Sequence, residues 1–236
     1  ETQLRKANEE GAVNKIVVTD GVFSMDGYVA QLDKIVELCK KYDAMVMVDE
    51  CHAAGFLGKT GRGTPEVCGV LGEIDIITGT LGKALGGAMG GYTTGKKEII
   101  DMLRQKSRPY LFSNSLAPSI VGASNEVFKL LDETTSLRDK LEENVKYFKE
   151  GIKSIGLDYK DGESAIVPIM LYDAKVSQEM AAKFLHEGIY VIGFYYPVVP
   201  KGAARIRVQL SAGHEKEHLD KAIEAFTKVG KKLGVI

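Results

Sequence analysis

The sequence predicts an α/β fold, a mostly parallel-sheet domain followed by a smaller α+β domain. Two observations carry this. Short apolar runs rich in β-branched residues alternate with helical periodicity as far as about Leu131. Beyond Asp132 that order breaks down, and a long charged helical stretch leads into a different mix of strands and helices. The expected boundaries are residues 1–131 for the first domain and 132–236 for the second, with the long helix as the bridge.

Each element has its reason. ETQLRKANEE reads as the tail of a helix entering mid-domain, and Glu1 is not a Met, so residues before it are expected. KIVVTDGVF (Lys15–Phe23) is apolar, β-branched and closed by polar residues and Gly, which predicts a buried strand. Leu32, Ile35, Val36, Leu38 and Cys39 recur at helical spacing, giving a helix over Gln31–Tyr42. Ala44–Glu50 and Asp75–Thr80 are further strands, the first expected to be covered on both faces. Gly90–Gly95 is a fourth strand suited to an antiparallel edge. Helices follow at Lys96–Lys106, Pro118–Leu131 and Ser136–Ile155. The second domain holds strands at Ile166–Leu171, Tyr190–Phe194 and Arg205–Leu210, and helices at Ser177–Glu187 and Glu217–Leu233.

Composition bounds the function. The 236 residues are 44% hydrophobic and 27% charged, which suits a globular chain with a sizeable core. A net charge of −1 argues against a nucleic-acid or anionic-membrane surface driven by bulk charge. No apolar run approaches membrane-spanning length. The three cysteines, Cys39, Cys51 and Cys68, form no C-x-x-C pair, and reduced thiols in a cytoplasmic protein fit this best.

The chemistry-bearing residues gather at strand ends. Lys83 lies in TGTLGKALGG, where glycines permit tight turns and close approach of a ligand. A phosphate-binding P-loop is excluded, because Ile77 and Ala84 stand where that motif needs Gly and Ser/Thr. Asp49 ends an apolar strand, where a carboxylate is costly unless paired. It serves either as a cap or ion pair, or as the anion facing a protonated ring nitrogen. His52 follows three residues later and Thr80 precedes the glycine loop. A lysine beside a buried carboxylate suits Schiff-base chemistry. Cys51 next to His52 makes no convincing catalytic dyad.

Two other features have competing readings. His214-Glu215-Lys216-Glu217-His218 matches the zinc-hydrolase pattern H-E-x-x-H. Apolar helical positions begin only at Leu219, so His214 is expected at or before the helix cap, and no metal site is assigned. Arg205 and Arg207 alternate along a strand and share a face. That face is either solvated or poised to bind a carboxylate.

TDGVFSMDG, VDECHAAGFLGKTGRG, DIITGTLGKALGGAMGGY, RPYLFSNSLAP and GFYYPVVPKGAARIRVQLSAGH together resemble the α-oxoamine synthases, which are fold-type-I pyridoxal-phosphate enzymes. The last two segments favour the branch that condenses glycine with acetyl-CoA, a reaction of threonine degradation. The resemblance implies that residues 1–131 are the C-terminal part of the large domain. It implies pyridoxal 5'-phosphate as cofactor, with Lys83 as the Schiff-base lysine and later proton carrier. By the same resemblance Asp49 pairs with the pyridine nitrogen, His52 contacts the phenolic oxygen, Ser24 lies close by and Thr80 helps hold the phosphate. Ser113 and Asn114 would reach a partner subunit's cofactor across a homodimer interface. Arg207 would bind the substrate carboxylate, with Arg205 in support.

The expected reaction joins glycine and acetyl-CoA into 2-amino-3-oxobutanoate and CoA. Serine palmitoyltransferase-like and 8-amino-7-oxononanoate synthase activities are the alternatives within the family. An inactive fragment, a regulator's effector domain and a zinc hydrolase using His214 and His218 are the alternatives outside it. The family also has a large segment upstream of the part matched here, which supplies further phosphate contacts and a ring-stacking His. Without it, apolar sheet surface is expected to be exposed.

Overall fold

The computed structural model describes residues 1–236, and the chain divides into two units. Unit 1 comprises residues 1–23 and 29–135, and unit 2 comprises residues 24–28 and 136–236. No helix is long and apolar enough to cross a membrane.

In unit 1 the elements run α1 (Thr2–Glu9), β1 (Ile16–Asp20), α2 (Leu32–Lys41), β2 (Met45–Asp49), α3 (Thr64–Val67), β3 (Ile76–Thr80), β4 (Gly91–Gly95), α4 (Lys97–Lys106), α5 (Arg108–Phe112) and α6 (Pro118–Glu133). The sheet order is β1-β2-β3-β4, parallel except for β4. Leu32, Val36 and Cys39 recur on one side of α2 and bury against Val46, Val48, Val70 and Ile74. Because side chains alternate along a strand, this core takes Val46 and Val48 and turns Met45, Met47 and Asp49 to the opposite face. Asp75, itself buried, accepts a hydrogen bond from the Val46 amide at 2.7 Å and pairs with Lys96 at 2.5 Å, so it ties the start of β2 to the end of β4.

The buried-strand reading of β1 is corrected. β1 is the edge of the sheet, with Ile16 46% and Val18 60% exposed. An apolar, β-branched run reports suitability for burial, not the presence of a neighbour. On β2 one face is fully buried and the other half-buried, where cover on both had been expected.

Unit 2 contains α7 (Ser136–Ser154), β5 (Ile166–Tyr172), α8 (Ala174–His186), β6 (Gly193–Phe194), β7 (Ala204–Gln209) and α9 (Lys216–Leu233). Its antiparallel sheet has the order β5-β7-β6. Val167, Ile169 and Leu171 of β5 and Ile206 of β7 bury against Phe148, Met180, Phe184 and Phe226 of the helices. Phe184 and Phe226 meet edge to face with centroids 4.6 Å apart. Asp173 caps α8 by accepting from the amides of Lys175 and Val176. Two expectations shift. The strand expected over Tyr190–Phe194 shortens to Gly193 and Phe194, and the Ser177–Glu187 helix lengthens, starting at Ala174 because its cap is Asp173.

Candidate active site

The register of unit 1 brings the Asp49 and Lys83 regions together at the C-terminal ends of β2 and β3. In parallel neighbours β2 and β3, Met47 pairs with Ile76 and Asp49 with Thr78. Asp49, Thr78 and Thr80 therefore share the face opposite the α2 core. The Asp49 carboxylate accepts from the Cys51 amide at 2.8 Å, an Asx turn, and from the Thr78 hydroxyl at 3.1 Å. Burial alone would raise its pKa. The bonds from Cys51 and Thr78 and the positive charge of Lys83 outweigh burial and hold Asp49 below the usual carboxylate value, as an anion.

Lys83 stands on a closed loop. The Leu81 amide donates to Gly90 O at 2.9 Å and the Gly87 amide to Leu81 O at 2.6 Å. The Thr80 hydroxyl donates to Gly90 O and accepts from the Gly82 amide at 3.1 Å. From this loop Lys83 Nζ lies 2.9 Å from His52 Nε2. His52 sits in the turn that follows Asp49, so one short segment supplies both the anion and the partner of the lysine. Burial, then the neighbouring Asp49 anion, pushes the Cys51 thiol up to about 11, which keeps it protonated and disqualifies it as a nucleophile.

Ser113 and Asn114 lie exposed in the loop after α5. Ser24 and Arg207 belong to unit 2. There Arg207 Nη1 donates to the Ser24 carbonyl at 3.0 Å, the guanidinium lies 4.9 Å from the Phe194 ring centroid, and Nε is buried without a hydrogen-bond partner. Desolvation without a counter-charge lowers the Arg207 pKa. Arg205 departs from the solvated-face reading, being almost wholly buried and paired with Asp26.

Thr78 and Glu50 escaped the sequence reading. Thr78 is legible only once strand register is known. Glu50 follows Asp49 but faces the other way, with Oε2 accepting from the Thr64 amide at 2.8 Å and Oε1 unpartnered. The slot is walled by glycine, since a Cβ at Gly21 or Gly63 would lie 2.0 or 1.8 Å from its carboxyl oxygens. Burial pushes Glu50 up to about 7.

The H-E-x-x-H segment is accounted for locally. His214 precedes α9, and its Nδ1 accepts from the Ser211 amide at 3.3 Å. His218 Nδ1 accepts from the Glu215 amide at 3.0 Å, so it serves the helix cap. Both imidazoles are thus engaged at Nδ1 by backbone amides of their own segment.

The residues present fit pyridoxal phosphate. A carboxylate kept ionised suits a protonated ring nitrogen, and a primary amine on a closed glycine loop suits imine formation.

Comparison with known proteins agrees with the sequence resemblance. The chain is 55% identical to the 2-amino-3-ketobutyrate coenzyme A ligase of Escherichia coli K12, matching all of this chain and 59% of that protein. It is 52% identical to the 8-amino-7-oxononanoate synthase of Thermosipho melanesiensis, over all of this chain and 60% of that one. Among solved structures, SPT (serine palmitoyltransferase) with its PLP internal aldimine superposes with a TM-score of 0.91 at 32% identity, covering 99% of this chain and 60% of that one. The chain thus spans about three-fifths of the length of the curated relatives it matches. The sequence model of aminotransferase class I and II matches residues 1–226, and the chain belongs to that family.

Proposed function

We propose that the protein carrying this chain is a pyridoxal-phosphate-dependent acyltransferase that condenses glycine with acetyl-CoA to give 2-amino-3-oxobutanoate and CoA. The observation that carries this reading is the Lys83–His52 contact beside an ionised Asp49. The 55% identity to 2-amino-3-ketobutyrate coenzyme A ligase supports the choice of substrates. Threonine breakdown, a cytoplasmic location and a homodimer with shared sites belong to the same proposal.

Bound pyridoxal phosphate supplies an electron sink for the carbanion at the glycine Cα. Asp49, held as an anion, would face the ring nitrogen and keep it protonated. Lys83 would hold the cofactor through its amine and, when free, would take the glycine Cα proton at Nζ. His52 orients Lys83 Nζ. Arg207 holds the glycine carboxylate through the guanidinium edge that Ser24 leaves open. The new C–C bond joins glycine Cα to the acetyl carbon, the C–S bond of the thioester breaks, and CoA leaves as the thiolate. Thr80 would help hold the cofactor phosphate, and Ser113 and Asn114 would reach the partner subunit's cofactor.

The 52% identity to an 8-amino-7-oxononanoate synthase favours a second reading within the family, with a larger amino acid and a longer acyl thioester. Activity assays that pair glycine or alanine with acetyl or longer acyl thioesters separate the two. The first reading expects the highest kcat/KM for glycine with acetyl-CoA.

A further inference from the structure

Arg205 is 1% exposed, an unusual place for a guanidinium, and it is paired. Its Nη1 donates to Asp26 Oδ1 at 2.5 Å and to the Met25 carbonyl at 3.0 Å, while Nε donates to the Ala203 carbonyl at 3.0 Å. Lys160 reaches the same Asp26 oxygen. Burial alone would raise the pKa of Asp26, but these two cations outweigh it and hold the carboxylate ionised.

All of these contacts converge on residues 24–28, a short segment that belongs to unit 2 although both of its flanks belong to unit 1. Gly27 presses it against β5. Its φ is +74°, and a Cβ there would lie 2.7 Å from the Ile166 carbonyl. Gly162 also approaches closely, since its Cβ would lie 2.5 Å from the Gly27 carbonyl. Lys160 Nζ also stands 5.6 Å from the Tyr28 ring centroid. The segment is therefore strapped down along its length, and its first residue delivers a carbonyl to Arg207 Nη1.

That delivery decides what Arg207 has left. One end of its fork is occupied by Ser24, its plane rests near Phe194, and its buried Nε has no partner. We propose that Asp26 and Arg205 are positioning residues, whose buried ion pair clamps residues 24–28 so that Ser24 occupies Nη1 of Arg207 and leaves the rest of the guanidinium to receive the carboxylate of the amino-acid substrate. This rests on the assignment of Arg207 as the carboxylate-binding residue.

The test uses the full-length protein loaded with pyridoxal phosphate and measures amine affinity from the visible difference spectrum. Glycine is compared with methylamine, which has no carboxylate. Asp26→Asn is expected to weaken glycine about tenfold or more while leaving methylamine within about twofold, because only glycine uses Arg207. KM for glycine rises with it and kcat changes little. Amide hydrogen exchange over residues 24–28 is expected to speed up.

Asp26→Asn strands a buried guanidinium and can compromise folding. The double variant Asp26→Asn/Arg205→Met removes both charges and keeps much of the packing volume, and it is expected to show the same glycine-selective loss. Equal weakening of glycine and methylamine, or of neither, in the double variant overturns the clamp. Arg207→Gln separates the two layers. If it leaves glycine affinity unchanged, the carboxylate assignment fails and the clamp with it. If it weakens glycine while the Asp26 and Arg205 variants do not, only the clamp fails.

Discussion

Asp49 and Glu50 are consecutive carboxylates whose pKa values are shifted in opposite directions, and each shift is testable. Asp49 is an anion because hydrogen bonds and Lys83 outweigh burial. Asp49→Asn keeps the shape and removes the charge, so it is expected to lower kcat by about 10²-fold or more while borohydride still traps the cofactor on Lys83. Glu50 is raised from 4.5 to about 7 by burial. A carboxyl with a raised folded-state pKa favours folding in its protonated form. Its contribution is complete below pH 4.5 and is lost progressively as pH rises to about 7, an order-of-magnitude cost of about 3 kcal/mol. Glu50→Gln cannot ionise, so urea unfolding is expected to show it gaining on wild type between pH 4.5 and pH 8 by up to about that amount. A constant difference across this range would contradict the assignment. At this scale the sequence shows which residues are chemically able but not how they are oriented. Lys83 and His52 stand 31 positions apart, and what brings them together is the parallel pairing of β2 with β3 and the turns that follow. Thr78 was invisible for the same reason.

Elements with a long apolar period were the most legible. The α2 and α9 helices follow their repeats to within a residue or two, and β4 pairs antiparallel to β3 as its position suggested. The short α3 and α5 carry too few residues to show a period, and each is set by a Pro in its first turn. β1 misled because side-chain chemistry records what a strand tolerates, while its burial depends on what lies beside it. Contact between strands also limits substitution. The Tyr92 ring of β4 lies over Gly79 of β3, where a Cβ would meet it at 2.4 Å. Gly79→Ala is expected to cost about 1–3 kcal/mol of unit 1 stability by overpacking, read from denaturant midpoints. In unit 2 Phe226, buried between Phe148 and Phe184, is the central core aromatic, and Phe226→Ala is expected to cost about 3–5 kcal/mol.

For the whole molecule, the proposed homodimer makes a quantitative demand. If Ser113 and Asn114 complete a partner's site, two inactive variants repair one another when mixed. A Lys83→Ala subunit paired with a Ser113→Ala/Asn114→Ala subunit leaves one intact site and one doubly damaged site. Random reassortment at equal amounts is expected to restore about a quarter of wild-type activity. No recovery after verified subunit exchange would place those residues in their own subunit's site or outside it. The most direct test of the central claim is borohydride reduction of the pyridoxal-phosphate-loaded protein, followed by mapping of the modified peptide. The account expects a visible absorption band that shifts on adding glycine, and a single reduced adduct on Lys83. A protein that binds the cofactor with the adduct on another lysine, or whose band is indifferent to glycine, would contradict it.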